Sequence, residues 1–228
     1  MTTVSIHQPN YLPWLGYFRK IAHSDVFVFY DNVQMPMGKS LVTRNRFKSQ
    51  QGLKWLTVPS SKSGTPRLIC ETSIVPGNWP NKHLNSLKNW YAGCGCLGEV
   101  SDILSQSFKE PELTVAEFNI SLIVSLCEFI GIRDTKFVVS SQMAHGSVGS
   151  DSILPILTEL NASEYLTGQG AGSMRHLDTE RLSACGIETK FLSTEFSEYP
   201  QMHGKFEPGL SAVDALLNIG SSEFRKLL

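Results

Sequence analysis

His7 stands immediately after an apolar, β-branched run, Thr3–Ile6, and opens the stretch His7-Gln8-Pro9-Asn10-Tyr11-Leu12-Pro13-Trp14. An imidazole there could accept or donate a proton near neutral pH, and the carboxyl ends of strands are where open α/β sheets bind ligands. A structural histidine bonded to backbone explains the position equally well. Gln8, Asn10 and Tyr11 add neutral donors and acceptors that could orient a substrate. Asp31 closes a second apolar run, Val26–Tyr30, where an unpaired carboxylate is costly unless it meets water, a cation or a ligand donor. It reads as a base or an anchor for a substrate amine, with Gln34 on the same rim, or as the turn former of Asp31-Asn32.

Lys39, Arg44, Asn45, Arg46 and Lys48 form the densest basic cluster. If the segment is a strand, Arg44 and Arg46 share a face, and paired guanidiniums suit bidentate binding of phosphate or carboxylate. Charge guarding an edge strand is the competing reading. Gly168-Gln169-Gly170-Ala171-Gly172-Ser173 falls between an expected strand and an expected helix, where backbone amides can cradle an anion. No Walker lysine closes it and the full dinucleotide fingerprint is missing, so Gly168 and Gly170 could equally serve a tight turn. Tyr199, Gln201 and His203 lie in Glu198–Phe206, a loop able to complete a site or cover it. Asp214 interrupts the apolar helix pattern around Leu210–Leu217 and requires a partner.

The elements that must position these residues alternate. Thr3–Ile6, then Trp14–Ala22 with Trp14, Tyr17, Phe18 and Ile21 at helical spacing, then Val26–Tyr30, compose a βαβ unit. A right-handed crossover brings His7 and Asp31 to one edge of the sheet. Leu41–Lys48 and Lys54–Pro59 read as a hairpin turning at Ser49–Gly52, and Arg67–Val75 as a further strand. Trp79–Tyr91 is helical with Asn78 as a cap, and Gly93–Gly98 breaks the pattern. Val100–Ile130 carries two helices parted by Pro111, the second starting near Thr114. Strands at Lys136–Ser140, Tyr165–Thr167 and Thr189–Leu192 alternate with helices at Ser152–Leu160, His176–Cys185 and Ser211–Asn218. The sum is an α/β fold: a mostly parallel central sheet with flanking helices, an inserted β-hairpin and a helical segment around residues 100–130. One domain over residues 1–228 is expected, with residues 79–130 as a candidate helical subdomain.

The 228 residues suffice to bury roughly 70% of the unfolded surface. Twenty basic against 21 acidic residues give a net charge of −1, which supplies no general attraction to nucleic acid or a membrane surface. No run approaches about 18 apolar residues, and no signal-like segment precedes His7, so a cytoplasmic protein without membrane insertion is expected. The five cysteines are odd in number and read as reduced thiols. Cys94 and Cys96 are too close for the usual zinc spacing, and no metal is expected.

Taken together these motifs resemble the WbqC-like proteins found among bacterial O-antigen and other surface-polysaccharide genes. The likeness rests on His7–Ile21, Ser24–Val28 through Asp31, Val33-Gln34, Arg44-Asn45-Arg46 and Trp55–Pro59. It continues through Trp79, Lys82-His83, Tyr165–Ala171, Tyr199-Pro200-Gln201, Phe206, Leu210-Ser211 and Asp214. It implies a role near sugar or small-metabolite modification and carries over no catalytic residue. His176, where the family usually has an aromatic residue, and Gly93–Gly98 depart from the pattern, so substrate preference could differ. The leading expectation is a transferase acting on an activated, phosphate-bearing small molecule, a nucleotide sugar or an acyl or aminoacyl donor to an amino sugar. In it His7 and Asp31 do the acid–base work, while Lys39, Arg44 and Arg46 hold the anion. Gln8, Asn10, Tyr11, Gln34, Asn45, Tyr199, Gln201 and His203 would position substrate. The alternative is a non-catalytic binding or assembly protein of the same pathway. The partner expected is an anionic small molecule and no nucleic acid, homo-oligomerisation is open, and no cofactor is specified.

Overall fold

The computed structural model describes residues 1–61, 65, 67–109, 114–144, 153–170, 177–193 and 198–228. Strand β1 (Thr3–His7) leads through α1 (Leu15–Ala22) to β2 (Val26–Phe29). A hairpin, β3 (Arg44–Ser49) and β4 (Gly52–Thr57), precedes helices α2 (Trp79–Trp90), α3 (Leu97–Ser107) and α4 (Val115–Ile130). The chain continues as β5 (Lys136–Val139), α5 (Leu154–Glu159), β6 (Glu164–Thr167), α6 (Thr179–Ala184), β7 (Glu188–Phe191) and α7 (Ala212–Arg225). No described helix is long and apolar enough to cross a membrane.

Five strands form one sheet in the order β5-β2-β1-β6-β7, with every described pairing parallel. The buried Val26–Phe29 run has the continuous apolar character expected of a strand covered on both faces. Phe27 and Phe29 face one core, with Tyr17, Phe18 and Ile21 of α1, Leu122 and Leu126 of α4, and Leu216 of α7. Val4, Ile6 and Val28 face the other, with Ile156 and Leu157 of α5, Tyr165, and Leu182 of α6. Chain leaving β1 therefore crosses one face of the sheet and chain leaving β6 crosses the other. The carboxyl ends of these adjacent strands bound the crevice where doubly wound sheets bind ligands.

The β3–β4 hairpin pairs antiparallel, Arg44 with Thr57 through Ser49 with Gly52, and forms a sheet of its own. Arg67–Val75 is a correction to the expected strand: β-branched residues favour extension there, but pairing reduces to isolated bridges at Leu68, Ser73 and Ile74 around a 3-10 turn, Ile69–Glu71. Helix α3 begins at Leu97, inside the stretch expected to break the pattern. Asn78 occupies the N-cap position of α2, but its side chain accepts from Asn81 Nδ2 instead of a backbone amide. Thr114 caps α4 reciprocally with Glu117: its hydroxyl accepts from the Glu117 amide at 3.2 Å, and the Glu117 carboxylate accepts the Thr114 amide at 2.9 Å. Pro111, Ala171–His176 and Ser152 lie outside the described residues.

The segment between β1 and α1 is pinned from several directions. Buried Asn119 of α4 donates from Nδ2 to the Pro9 and Val42 carbonyls, both at 2.8 Å. Buried Asn45 of β3 donates to the Leu12 carbonyl at 2.7 Å and the Tyr11 carbonyl at 3.3 Å. The Tyr11 amide donates to Leu41, and the Ala212 amide at the start of α7 donates to Pro13. Leu12 holds φ at 42°, a left-handed backbone that a leucine adopts only when its surroundings impose it.

Candidate functional site

His7 is the last residue of the central strand, in register with Phe29, and its half-buried ring projects toward α1. The imidazole packs edge-on against Tyr17 at 4.8 Å and Trp14 at 5.5 Å between ring centroids. Its Nδ1 lies 3.0 Å from the Gln8 carbonyl, and the Tyr17 hydroxyl donates to that same oxygen at 3.0 Å. A carbonyl oxygen only accepts, so Nδ1 carries the proton and the neutral ring presents Nε2 as a lone-pair acceptor. Burial, reinforced by the Lys20 charge, pulls the imidazole pKa down to about 3 and keeps it neutral at physiological pH. The other residues at this rim are Gln8, half-buried with no side-chain partner among the described residues, and Gly168 and Gly170 after β6.

Lys20, which the sequence does not single out, is 4% exposed. It lies one helical turn beyond Tyr17 and is among the buried residues of α1. Ser24 Oγ sits 2.7 Å from both the Lys20 carbonyl and Ser5 Oγ, and Ser5 donates across to Leu166 of β6 at 2.8 Å. The base of Lys20 is thus fixed beside the β1–β6 seam. Burial lowers its pKa to about 8, and no described carboxylate forms an ion pair with it.

Most of the other expected site residues have partners of their own in the fold. Asp31 is buried, with its carboxylate accepting from the Ser141 amide at 2.9 Å and the Ser141 hydroxyl at 2.6 Å, and Ser140 Oγ at 3.0 Å. It binds the end of β2 to the turn after β5, while the His7 ring is held by the Gln8 carbonyl. Tyr11 is fully buried, stacks on Phe118 and donates its hydroxyl to or accepts from His83 Nδ1 at 2.8 Å, so it has no surface to offer a ligand. His83 is itself held neutral, its pKa drawn down to about 4 by burial. Asn10 is 4% exposed, and Asn45 is occupied by the pinned segment.

Arg44 and Arg46 do share the outer face of β3. The Arg44 guanidinium stacks 3.9 Å above the Trp55 ring, and Arg46 donates to the Pro208 and Gly209 carbonyls at 3.3 Å beside Glu207. Lys39 and Gln34 are exposed. Tyr199, Gln201 and His203 belong to a second polar cluster around Asp214, which is fully buried and receives the hydroxyls of Tyr91 and Tyr199. Burial raises the Asp214 pKa. Lys48 donates to Gln201 Oε1 at 3.2 Å and to the Gly204 and Lys205 carbonyls, while His203 Nε2 sits 2.6 Å from the Trp90 carbonyl. These bonds tie the 199–206 loop to the hairpin and to α2. No group of three metal-ligating side chains occurs among the described residues, and Cys94 contacts Met202 sulfur instead of pairing with Cys96.

Residues 8–226 match the family model described as the WbqC-like protein family. The uncharacterized protein Rv1507c of Mycobacterium tuberculosis is 31% identical over 224 residues, covering 97% of this chain and 95% of that one. No solved structure matches the chain.

Proposed function

This chain belongs to the WbqC-like protein family, and from that premise we propose that it is a transferase working at the β1–β6 crevice. Its substrate is an activated, phosphate-bearing small molecule of surface-glycan or small-metabolite biosynthesis: a nucleotide sugar, or an acyl or aminoacyl donor to an amino sugar. The observation that carries this reading is the state of His7. A neutral ring whose Nδ1 proton is fixed by a backbone carbonyl presents Nε2 at the switch point of a parallel sheet. So low a pKa makes Nε2 a weak base. A phosphate drawn in beside the ring favours the imidazolium and raises the basicity, so proton acceptance from an attacking hydroxyl or amine becomes coupled to substrate arrival. The absence of membrane-crossing helices among the described residues is consistent with a cytoplasmic enzyme, and the near-zero net charge with a small-molecule partner over nucleic acid.

A second reading, a binding or assembly protein of the same pathway, draws support from Asp31, whose carboxylate is already filled by Ser140 and Ser141. Incubating wild type and His7→Gln with nucleotide sugars, acyl donors and nucleoside triphosphates, and following masses, separates the two. The transferase reading expects turnover that falls by roughly 100-fold or more in His7→Gln. Binding without reaction across the panel, or turnover indifferent to the substitution, would refute it.

A further inference from the structure

We propose that Lys20 is the anion-binding residue of this site, its ammonium receiving the phosphate group of the substrate in the crevice beside His7. The inference rests on the crevice being the ligand site, as proposed above. Three observations converge on it. Lys20 is 4% exposed yet no described carboxylate or side-chain acceptor meets its ammonium. It lies one turn from Tyr17, whose ring touches the His7 imidazole, and its charge is felt at that ring. Ser24 and Ser5 anchor its backbone against the seam between β1 and β6.

A lysine this largely buried and without a counter-charge is costly to keep charged, and folded proteins pair such groups or neutralise them. Among the cations expected to hold an anion, Lys39 is exposed to solvent, Arg44 is stacked on Trp55 and Arg46 is bonded to the 207–209 turn. Lys20 has no such engagement. A phosphate placed against it supplies the missing charge and, within reach of Nε2, couples anion binding to the protonation of His7. Because no described carboxylate pairs with the ammonium, its charge does nothing for the fold itself. A neutral side chain of similar length should leave the fold as stable or more so, the opposite of what a structural lysine would do.

The test is titration of the full chain with pyrophosphate by calorimetry at constant ionic strength, for wild type, Lys20→Met and Lys20→Gln, together with thermal unfolding. Wild type should bind and gain thermal stability from pyrophosphate. Both variants should fold with a melting temperature equal to or above that of the empty wild type, bind roughly 10- to 100-fold more weakly, and gain little from the ligand. Unaltered affinity in the variants, no binding of pyrophosphate by wild type, or failure of both variants to fold would each overturn the assignment. Pyrophosphate binding that depends on Lys20, without turnover of any donor, would sink the transferase reading alone. Turnover indifferent to both Lys20 substitutions would sink this one alone.

Discussion

Two histidines held neutral in the native state, one of them at the site, make acid stability a direct readout of their burial. His7 has its pKa drawn to about 3 and His83 to about 4, both by burial, against about 6.5 in an unfolded chain. The native state therefore binds fewer protons than the unfolded one over that interval. The stability the two residues contribute is complete above about pH 6.5 and is lost as pH falls toward 4 and below. Each withheld proton contributes about 1.4 kcal/mol per pH unit, so together they should remove roughly 2.5 kcal/mol between pH 5.5 and pH 4.5. Urea unfolding of wild type, His7→Gln and His83→Gln at pH 6.5, 5.5 and 4.5 isolates their share, since carboxylate titration is common to all three proteins. Each variant should show a slope of stability against pH that is shallower by about 1 kcal/mol per unit. If wild type and His7→Gln run parallel, His7 protonates freely in the folded protein, and the argument for a neutral ring with a fixed tautomer fails.

Asn119→Leu keeps the branching and heavy-atom count but leaves the Pro9 and Val42 carbonyls without their donor, while relieving the unpartnered Asn119 Oδ1. The net cost should be about 2–4 kcal/mol in chemical denaturation, and a loss below about 0.5 kcal/mol would show that the segment is held by other means. Gly131 ends α4 at φ 85°, and a Cβ there would lie 1.9 Å from Arg225 Nη2, which with Nε donates to the Ile130 carbonyl. Gly131→Ala should cost about 2 kcal/mol by combining backbone strain with displacement of that guanidinium; an unchanged melting temperature would mean that Arg225 is dispensable.

The parallel βαβ core was legible because its signals are local. Val26–Phe29 is uninterrupted and apolar, and Thr114 with Glu117 spells a capping box directly. Alternation also placed Arg44 and Arg46 on one face, but their partners, Trp55 across the hairpin and Pro208–Gly209 far along the chain, have no local trace. Tyr11 looked ligand-facing because it stands among polar loop residues, whereas the His83 and Phe118 that enclose it come from α2 and α4. Lys20 was passed over for a related reason. A lysine in a helix's last turn ordinarily reads as a solvated cation facing the helix dipole, and only its i+3 relation to Tyr17 hinted otherwise. Asp214 shows the converse, since an acid inside an apolar helix announced its need for partners without revealing that they would be two tyrosines.

The pinned segment after β1 has a consequence for how the protein is made. Its ties reach forward to β3, to α4 and to the start of α7, with the Asn119 bond to Pro9 spanning 110 residues. Contacts of such separation close late, because the intervening chain must be ordered before they can form. During synthesis from the amino terminus, His7 emerges first, but its surroundings are completed only once α7 has left the ribosome. The crevice should therefore be among the last parts of the molecule to mature, and a chain halted before α7 would carry the residues of the site without its geometry.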